Sequence, residues 1–410
     1  MKGFTTKIVH SDRLNVIEHG SLQKPIHATV AYGYDDARDL AAVFQGKKPG
    51  FTYGRQVNPT VDALQVKISR MENGLQTVCF ATGMAAIGTM LFALLRRGDH
   101  FVSSSFLFGN TNSLFASFEA QGLDVSFADA TDVDKVADAI TEQTKLVFVE
   151  TIANPRTQVA ALEEIGKLCQ QRGLIYVIDN TMTSPYLFQP GDVNASLVVN
   201  SLTKYIGGHG NALGGAITEM GCFDWSTFEN IYDTYKTGAS DRWAITQIKK
   251  KGLRDFGASL GPEAAHHIAV GAETLALRME RQCANSEAMA EFLQAHPAVG
   301  PVYYPGLPDH PQHERAKTLF RHAGALLSFE LTPNTDLWAF LNRLKVIIKS
   351  SNLGDNRTLA IPVAHTIYFE MGPERRASMG IDESLIRISV GIEETQDLLD
   401  DLGSALETID

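Results

Sequence analysis

Short apolar runs and longer amphipathic segments alternate through the middle of the chain. Several of the short runs are rich in Val and Ile and are continuous rather than alternating, which is typical of strands that are covered on both faces. The segments between them, such as 159–171, place apolar residues at helical spacing. This rhythm predicts an α/β fold with a mostly parallel sheet. The predicted strands are 77–81, 100–103, 125–128, 145–150, 174–178 and 197–200.

The two ends of the chain have other patterns. Residues 1–60 hold many Gly, Pro and Asn residues and few periodic stretches, which predicts an extended arm with turns. A helix capped by Thr60 and ending near Gly74 is expected to follow. Beyond Gly261, helical spacing continues toward Phe292, and the remainder predicts a smaller α+β domain with strands near 325–330 and 385–390 and helices near 337–344 and 396–406. We therefore expect an N-terminal arm (1–60), a large domain (61–255) and a C-terminal small domain (256–410).

Composition and charge narrow the class of protein. The 410 residues are 44% hydrophobic and 20% charged, as is ordinary for a soluble globular protein. The formal net charge of -11 repels the phosphates of nucleic acids and of anionic membranes, so we expect neither as a partner. The longest nearly apolar run, 85–95, is too short to span a bilayer and predicts a buried helix. The first residues lead into no apolar segment, so no secretory signal is expected.

The cysteines and the common cofactor motifs exclude several kinds of site. The four cysteines are widely scattered, with no C-x-x-C pair. This spacing argues against a zinc cluster or a disulfide framework and favours a reducing cytoplasm. The sequence also contains no G-x-x-x-x-G-K-[ST], G-x-G-x-x-G or H-E-x-x-H motif.

Polar residues follow three of the predicted strands, where ligands of open α/β sheets bind. Asp179 could pair with a protonated pyridine nitrogen, and Lys204 beyond a buried strand would lose its charge readily. The hydroxyls of Ser201 and Thr203, and the N-terminus of the apolar helix 85–95 that follows Gly83, could bind a phosphate. Each feature alone has an ordinary alternative: a helix-capping Asp, a surface lysine or a plain strand–helix turn. Together they indicate a site for pyridoxal 5′-phosphate (PLP).

One competing motif points to different chemistry. Gly257-Ala258-Ser259-Leu260-Gly261 matches the G-x-S-x-G elbow of serine hydrolases, with Ser259 as nucleophile. That elbow needs a buried strand before it, whereas the preceding segment 249–255 is too charged to be one. The hydrolase hypothesis is therefore a remote alternative. The lysine triplet 249–251 is interpreted as a solvated face.

Five groups of residues occur along the chain in a specific order. They are Tyr53-Gly54-Arg55 with Asn58-Pro59-Thr60; Thr82-Gly83-Met84-Ala85-Ala86-Ile87; Asp179-Asn180-Thr181; Ser201-Leu202-Thr203-Lys204-Tyr205 with Gly208-His209-Gly210; and the run from Leu385 to Glu393. This series covers nearly the whole chain and resembles the Cys/Met-metabolism PLP-dependent enzymes, the cystathionine γ-synthase-like family. Its fold is the PLP-dependent transferase fold type I.

The resemblance implies a role for each residue of the site. Lys204 would carry the cofactor as a Schiff base, and Asp179 would pair with the pyridinium nitrogen. The phosphate would be bound by Gly83, Met84, Ser201 and Thr203, and the ring hydroxyl by Asn154. Arg387 would bind the substrate α-carboxylate, with Asn352 nearby. Tyr53 and Arg55 would reach the phosphate of the neighbouring subunit's cofactor, which implies a dimer with shared sites and a tetramer of paired dimers.

Two positions bear on the reaction that the resemblance implies. Phe108 stands where the family commonly has a tyrosine, so it could stack on the cofactor ring but could not donate a proton. Asn110 stands where methionine γ-lyases typically have a cysteine. Both residues argue against a methionine γ-lyase. Phe108, Gly207-Gly208 and residues 352–355 are more similar to the homoserine-ester sulfhydrylases, which implies γ-replacement on O-acetyl- or O-succinyl-homoserine with a sulfur nucleophile. A C–S lyase that cleaves methionine or cystathionine by γ-elimination is the alternative.

Overall fold

The computed structural model describes residues 3–11 and 18–407, and its larger sheet has seven strands in the order β1-β7-β6-β5-β4-β2-β3. These strands are β1 (Gln76–Phe80), β2 (His100–Ser104), β3 (Asp124–Ala128), β4 (Thr144–Glu150), β5 (Ile175–Asp179), β6 (Leu197–Ser201) and β7 (Gly215–Glu219). β7 is antiparallel to both of its neighbours, and the remaining neighbouring pairs are parallel. The predicted α/β class and strands are confirmed, each strand end lying within one residue of its predicted position. β7 was missed because its sequence, GAITE, has only a weak apolar signal.

The helices pack on both faces of this sheet. They are α1 (Phe4–Val9), α2 (Ala37–Phe44), α3 (Pro59–Met71), α4 (Gly83–Leu94), α5 (Gly109–Glu119), α6 (Val133–Asp138), α7 (Leu162–Arg172), α8 (Ser184–Leu187), α9 (Trp243–Gln247), α10 (Arg254–Phe256), α11 (Pro262–Ala272) and α12 (Leu275–Gln294). The two cores on opposite faces follow from the alternation of side chains along each strand, because Val147 and Phe148 of β4 fall into different clusters. α4 is almost entirely apolar and lies buried, as predicted for 85–95.

Three expectations about helices were wrong in detail. The side chain of Asn58, not Thr60, caps α3 by accepting bonds from the Thr60 and Val61 N–H groups. α7 starts at Leu162 because the preceding residues form a β-bridge, Ile152 with Val159. The helical stretch predicted from Gly261 to Phe292 is two helices, α11 and α12.

The lysine triplet is not the solvated face that the sequence suggested. It lies in a π-helical turn, Ile248–Leu253, whose Gly252 packs against Thr89 of α4. Lys249 is half-buried, and burial lowers the pKa of its amine. This turn packs against the apolar helix α4. Lysine side chains are compatible with that position because their methylene groups can cover apolar surface.

A second sheet of five strands forms the smaller α+β part. Its order is β10-β11-β12-β9-β8, with β8 (Val299–Tyr303), β9 (Leu326–Leu331), β10 (Ile348–Lys349), β11 (Leu359–Pro362) and β12 (Leu385–Ser389). Four helices follow α12: α13 (His313–Leu319), α14 (Leu337–Arg343), α15 (Pro373–Ser378) and α16 (Thr395–Leu406). Phe329, Phe340 and Leu398 pack together between sheet and helices. β8 escaped prediction because it contains Pro301, which only an edge strand accommodates.

α12 connects the two cores. Leu275 and Met279 in its first half pack in the core of the large sheet, whereas Met289 and Leu293 pack in that of the small sheet. The domain limits at 60 and 255 stay predictions. In the described part of the chain, no helix is both long and apolar enough to cross a membrane.

Candidate active site

A cavity of about 230 Å³ lies beyond the carboxyl ends of β4, β5 and β6, the edge of the sheet where a ligand was expected. The last residues of these three neighbouring strands, Glu150, Asp179 and Ser201, all line it. Most of the predicted site residues also line this cavity: Gly83, Met84, Phe108, Asn154, Asp179, Ser201, Thr203, Lys204 and Arg387.

Lys204 lies in the turn that follows β6, with its amine in the cavity. Nζ donates a hydrogen bond of 3.0 Å to Oδ1 of Asn352, so the side chain of Asn352 contacts the lysine at the cavity. Burial, together with the positive charge of Arg387, lowers the pKa of the Lys204 amine to about 8. A larger share of neutral amine is therefore present near pH 8 than for an ordinary lysine, as nucleophilic attack on a carbonyl requires.

The start of α4 forms one end of the cavity. Its first residues, Gly83 and Met84, carry N–H groups that an α-helix leaves without an internal partner. A Cβ on Gly83 would lie 3.0 Å from Cβ of Ser201, so glycine permits the helix to start this close to β6. Thr82 caps the helix by accepting a bond from the Ala85 N–H. The positive end of the helix dipole and the Ser201 hydroxyl thus suit a phosphate.

Thr203 lines the same end, but its hydroxyl is engaged by the chain itself. Oγ1 donates to the Gly214 carbonyl at 3.3 Å and accepts from the Gly214 N–H at 3.0 Å. To donate to a phosphate oxygen, the hydroxyl would have to break its bond to the Gly214 carbonyl, which is the longer of the two.

Asp179 and Glu150 are register partners on adjacent parallel strands, so two carboxyl groups meet on one wall. Burial raises the pKa of Asp179, and hydrogen bonds from Thr181 oppose this effect. Burial, and then the neighbouring Asp179, raise the pKa of Glu150 as well. A cation beside Asp179, such as a pyridinium nitrogen, would favour its ionised form.

Arg387, on β12 of the small sheet, reaches into the cavity from the other side. Its Nη2 donates to the carbonyls of Ser351 and Asn352, both at 3.0 Å, and its Nη1 is 3.4 Å from Oδ1 of Asn154. Its Nε is buried and has no hydrogen-bond partner among the described residues. Because its fork is only partly occupied, this guanidinium could take a carboxylate.

Three predicted residues, Tyr53, Arg55 and Asn352, are not part of the cavity wall, and of these only Asn352 contacts a residue that is. Tyr53 is 45% exposed, and the Arg55 guanidinium lies 5.5 Å from the centre of its ring. Arg55 also donates to the carbonyl of Arg254. Asn110 is exposed as well and lines a groove outside the cavity.

Sequence reasoning missed several residues of the cavity wall. Glu150 and Thr181 were missed although each ends or follows a predicted strand, the signal that had revealed Asp179. Ile87, Met182, Leu213 and Leu353 are apolar and carry no chemical signal in the sequence. Ser351 comes from the loop before β11 and enters the wall only through folding.

The segment before Ser259 lacks the strand that a hydrolase elbow requires. It is helical, from the π-turn through α10, and ends at Gly257 with φ of 75°. The Ser259 hydroxyl donates to the carbonyl of Arg55. This geometry gives no support to the hydrolase alternative.

The residues of the cavity fit PLP. A helix N-terminus and a hydroxyl are available for its phosphate, a carboxyl for its ring nitrogen, and an amine of lowered pKa for its aldehyde. The close approach of Gly83 to Ser201 leaves a cradle that a side chain would fill.

Comparison with known proteins agrees with this fit. Residues 5–407 match the family model described as Cys/Met metabolism PLP-dependent enzyme. An L-methionine gamma-lyase of Fusobacterium nucleatum is 35% identical over 99% of this chain and 98% of its own, and O-acetyl-L-homoserine sulfhydrylase 1 of Thermus thermophilus is 36% identical over 94% and 95%. A Campylobacter jejuni protein provisionally named an O-acetylhomoserine (thiol)-lyase, solved with N'-pyridoxyl-lysine-5'-monophosphate, superposes with a TM-score of 0.93 at 30% identity over 99% of this chain and 100% of its own. The chain therefore belongs to the Cys/Met metabolism PLP-dependent enzymes, and pyridoxal phosphate is its cofactor.

Proposed function

We propose that this enzyme performs γ-replacement on an O-acyl-homoserine, exchanging the acyl carboxylate for a sulfur nucleophile. The observation that carries the proposal is the wall of the cavity, where Phe108 contributes an aromatic ring and, among the described residues, no tyrosine contributes a phenol. An ester carboxylate is a stable anion and leaves with little help from an acid. A thiolate leaves less readily and gains more from a general acid, which typically contributes about 10²–10⁴-fold in rate.

Tyr368, a buried tyrosine that contacts the backbone of the site, is not available as a general acid. The Tyr368 hydroxyl donates to the carbonyl of Asn154 at 2.7 Å and lies 3.4 Å from that of Leu107, so its proton is committed to the backbone. Burial also raises the pKa of this phenol, which weakens it as an acid. Within one subunit, a leaving group in the cavity would have to draw its proton from Lys204 or from water.

Bound PLP supplies an electron sink for the carbanion at the substrate Cα. We propose that Nζ of Lys204 holds the cofactor before substrate enters and afterwards removes the Cα proton. Asn352, as acceptor for Nζ, would orient the amine for this transfer. Arg387 would bind the α-carboxylate through its fork, and Asn154, whose Oδ1 faces Arg387, would offer its Nδ2 to the ring hydroxyl.

We propose further that the enzyme works as at least a dimer, with Tyr53 and Arg55 completing the cofactor phosphate site of a neighbouring subunit. The arm supports this because it carries these two residues outside their own cavity. It also leaves Val30 and Phe44 exposed, each at 64%, which is surface that a partner would cover.

The second candidate is γ-elimination from methionine or cystathionine. It is favoured by the resemblance to the L-methionine gamma-lyase of Fusobacterium nucleatum, whose identity to this chain, 35%, is close to that of the sulfhydrylase. The exposed Asn110 stands apart from the cavity wall and does not separate the two reactions.

A substrate panel tests the choice. O-acetylhomoserine, O-succinylhomoserine, cystathionine and methionine would each be assayed with and without sulfide or cysteine, and products identified by mass spectrometry. We expect the highest kcat/KM for one of the esters with a sulfur nucleophile. The highest kcat/KM for methionine or cystathionine, with 2-oxobutanoate as product, would show that the enzyme is a lyase.

A further inference from the structure

Glu150 is a buried carboxyl group in the cavity wall that no role assigned so far explains. It ends β4, and it forms no ion pair with any described side chain. Its recorded hydrogen bond is to the backbone: Oε1 accepts from the N–H of Phe108 at 3.0 Å. A buried acid without a cation is costly, so its position calls for a reason beyond packing.

The hydrogen bond from the Phe108 N–H to Glu150 fixes the backbone of the residue whose ring lines the cavity. Phe108 precedes α5 and caps it without a side-chain hydrogen bond. The Phe108 carbonyl accepts from the N–H groups of Thr111 and Asn112, which fixes α5 to this residue. The bond to Glu150 joins the start of α5 to the end of β4, and the Phe108 side chain lines the cavity between them.

The charge around Glu150 favours a neutral carboxyl group. Its register partner Asp179 carries the carboxyl proposed to pair with the cofactor, and two carboxylates on adjacent buried strand ends repel each other. A neutral carboxyl still accepts a hydrogen bond through its carbonyl oxygen. Glutamine presents the same acceptor with the same length and no charge, so it imitates this state.

We propose that Glu150 is a positioning residue that holds Phe108 against the PLP ring through its hydrogen bond to the Phe108 N–H. The inference rests on the proposed stacking of Phe108 but not on the choice between replacement and elimination. Glu150 acts here as a neutral acceptor and transfers no proton. Loss of the acceptor would let the first turn of α5 shift and carry the ring away from the cofactor.

Cofactor affinity of the apoenzyme tests the proposal without reference to any reaction. The apoproteins of Glu150→Gln, Glu150→Leu and Phe108→Ala would be titrated with PLP, and the bound cofactor followed by visible circular dichroism. Glu150→Gln should keep the wild-type Kd within about threefold, since it keeps the acceptor. Glu150→Leu and Phe108→Ala should each raise Kd about tenfold, the order expected for loss of one aromatic contact.

The double variant Phe108→Ala/Glu150→Leu separates positioning from general damage. If Glu150 acts through the ring, the double variant binds no more weakly than Phe108→Ala alone. As a control, Ile87→Ala, which removes apolar wall from α4, should combine additively with Glu150→Leu. Far-ultraviolet circular dichroism and thermal melting of each apoprotein would verify folding. If Glu150→Leu does not fold, Glu150→Ala takes its place.

The outcomes that overturn the proposal are distinct. Equal losses in Glu150→Gln and Glu150→Leu would show that the charge of Glu150, not its acceptor, matters. Additive losses in the double variant would show that Glu150 does not act through Phe108. If Phe108→Ala leaves Kd and the dichroism unchanged, the proposed stacking fails and the inference fails with it. A loss in Phe108→Ala with none in Glu150→Leu would refute the inference alone.

Discussion

Lys204 and Asn352 meet across the two sheets, with Nζ of the lysine donating to Oδ1 of the asparagine at 3.0 Å. Lys204 follows β6 of the large sheet, and Asn352 lies between β10 and β11 of the small sheet. The backbone carbonyl of the same asparagine accepts from Arg387. One residue thus contacts both the proposed cofactor lysine and the proposed carboxylate ligand, so the packing of the two sheets decides the geometry of the site.

The Lys204 amine should control how fast apoenzyme takes up PLP. Only the neutral amine attacks the aldehyde, so the rate should rise with pH and level off above an apparent pKa of about 8. Stopped-flow absorbance of reconstitution from pH 6 to pH 10, within the stable range, would measure it. Asn352→Asp places a carboxylate beside the amine and should shift this midpoint upward. The exposed control Asn334→Asp should leave it unchanged; a wild-type midpoint near that of free lysine contradicts the prediction.

Mixing two inactive variants should restore activity if Arg55 serves a neighbouring subunit. In a hybrid of Arg55→Ala and Lys204→Ala subunits, one of the two sites combines an intact arginine with an intact lysine. With random exchange within dimers, about a quarter of all sites should be active. Mass spectrometry would verify the exchange of subunits. A mixture that exchanges and yet stays as inactive as its parents would rule out shared sites.

Phe108→Tyr should increase γ-elimination from methionine or cystathionine relative to replacement. The added phenol could donate a proton to a departing thiolate, and an increase of about tenfold or more is expected from general acid catalysis. The ester reaction should change less, because its carboxylate leaves without that help. The ratio of kcat/KM for the two reactions is the measurement. Phe106→Tyr, outside the cavity wall, is the matched control, and an unchanged ratio in Phe108→Tyr would contradict the argument.

Glu72 should make the apoprotein less stable as the pH rises. Its side chain is fully buried, and its carboxyl accepts hydrogen bonds from the side-chain amides of Asn180 and Asn200. Burial raises the pKa of Glu72 to about 7. Between the unfolded pKa near 4.5 and about 7, only the folded state keeps this proton. The free energy of unfolding should therefore fall by up to about 1.4 kcal/mol per pH unit over this window.

Glu72→Gln removes this titration while keeping the size of the side chain. The free energy of unfolding of Glu72→Gln minus that of wild type should increase from pH 5 to pH 7.5. Urea denaturation of the two apoproteins would measure this difference. The exposed Glu291→Gln, on α12, should follow the wild-type dependence. Parallel curves for Glu72→Gln and wild type would mean that Glu72 titrates normally.

The local sequence was sufficient to predict most strands of the large sheet. Continuous Val- and Ile-rich runs such as β4 and β5 bury their side chains only where both faces of the strand are covered. The sequence therefore predicted both the strands and their ends. The same reasoning pointed to Asp179 and Lys204, because both lie at or just beyond the end of such a run. β7 and β8 could not be predicted, because a strand with a weak apolar signal and a proline-containing edge strand depend on pairing with their neighbours.

The sequence by itself determined the family, the class of fold and several of the residues that line the cavity, because these follow from short runs and their order. Tertiary structure alone decided which groups face one another. Glu150 touches Phe108 and Lys204 touches Asn352 across 42 and 148 positions of the chain. The lowered pKa of Lys204 likewise arises from burial and from Arg387, which lies on the other sheet. Such effects depend on distance and desolvation in the folded protein, and no local pattern encodes them.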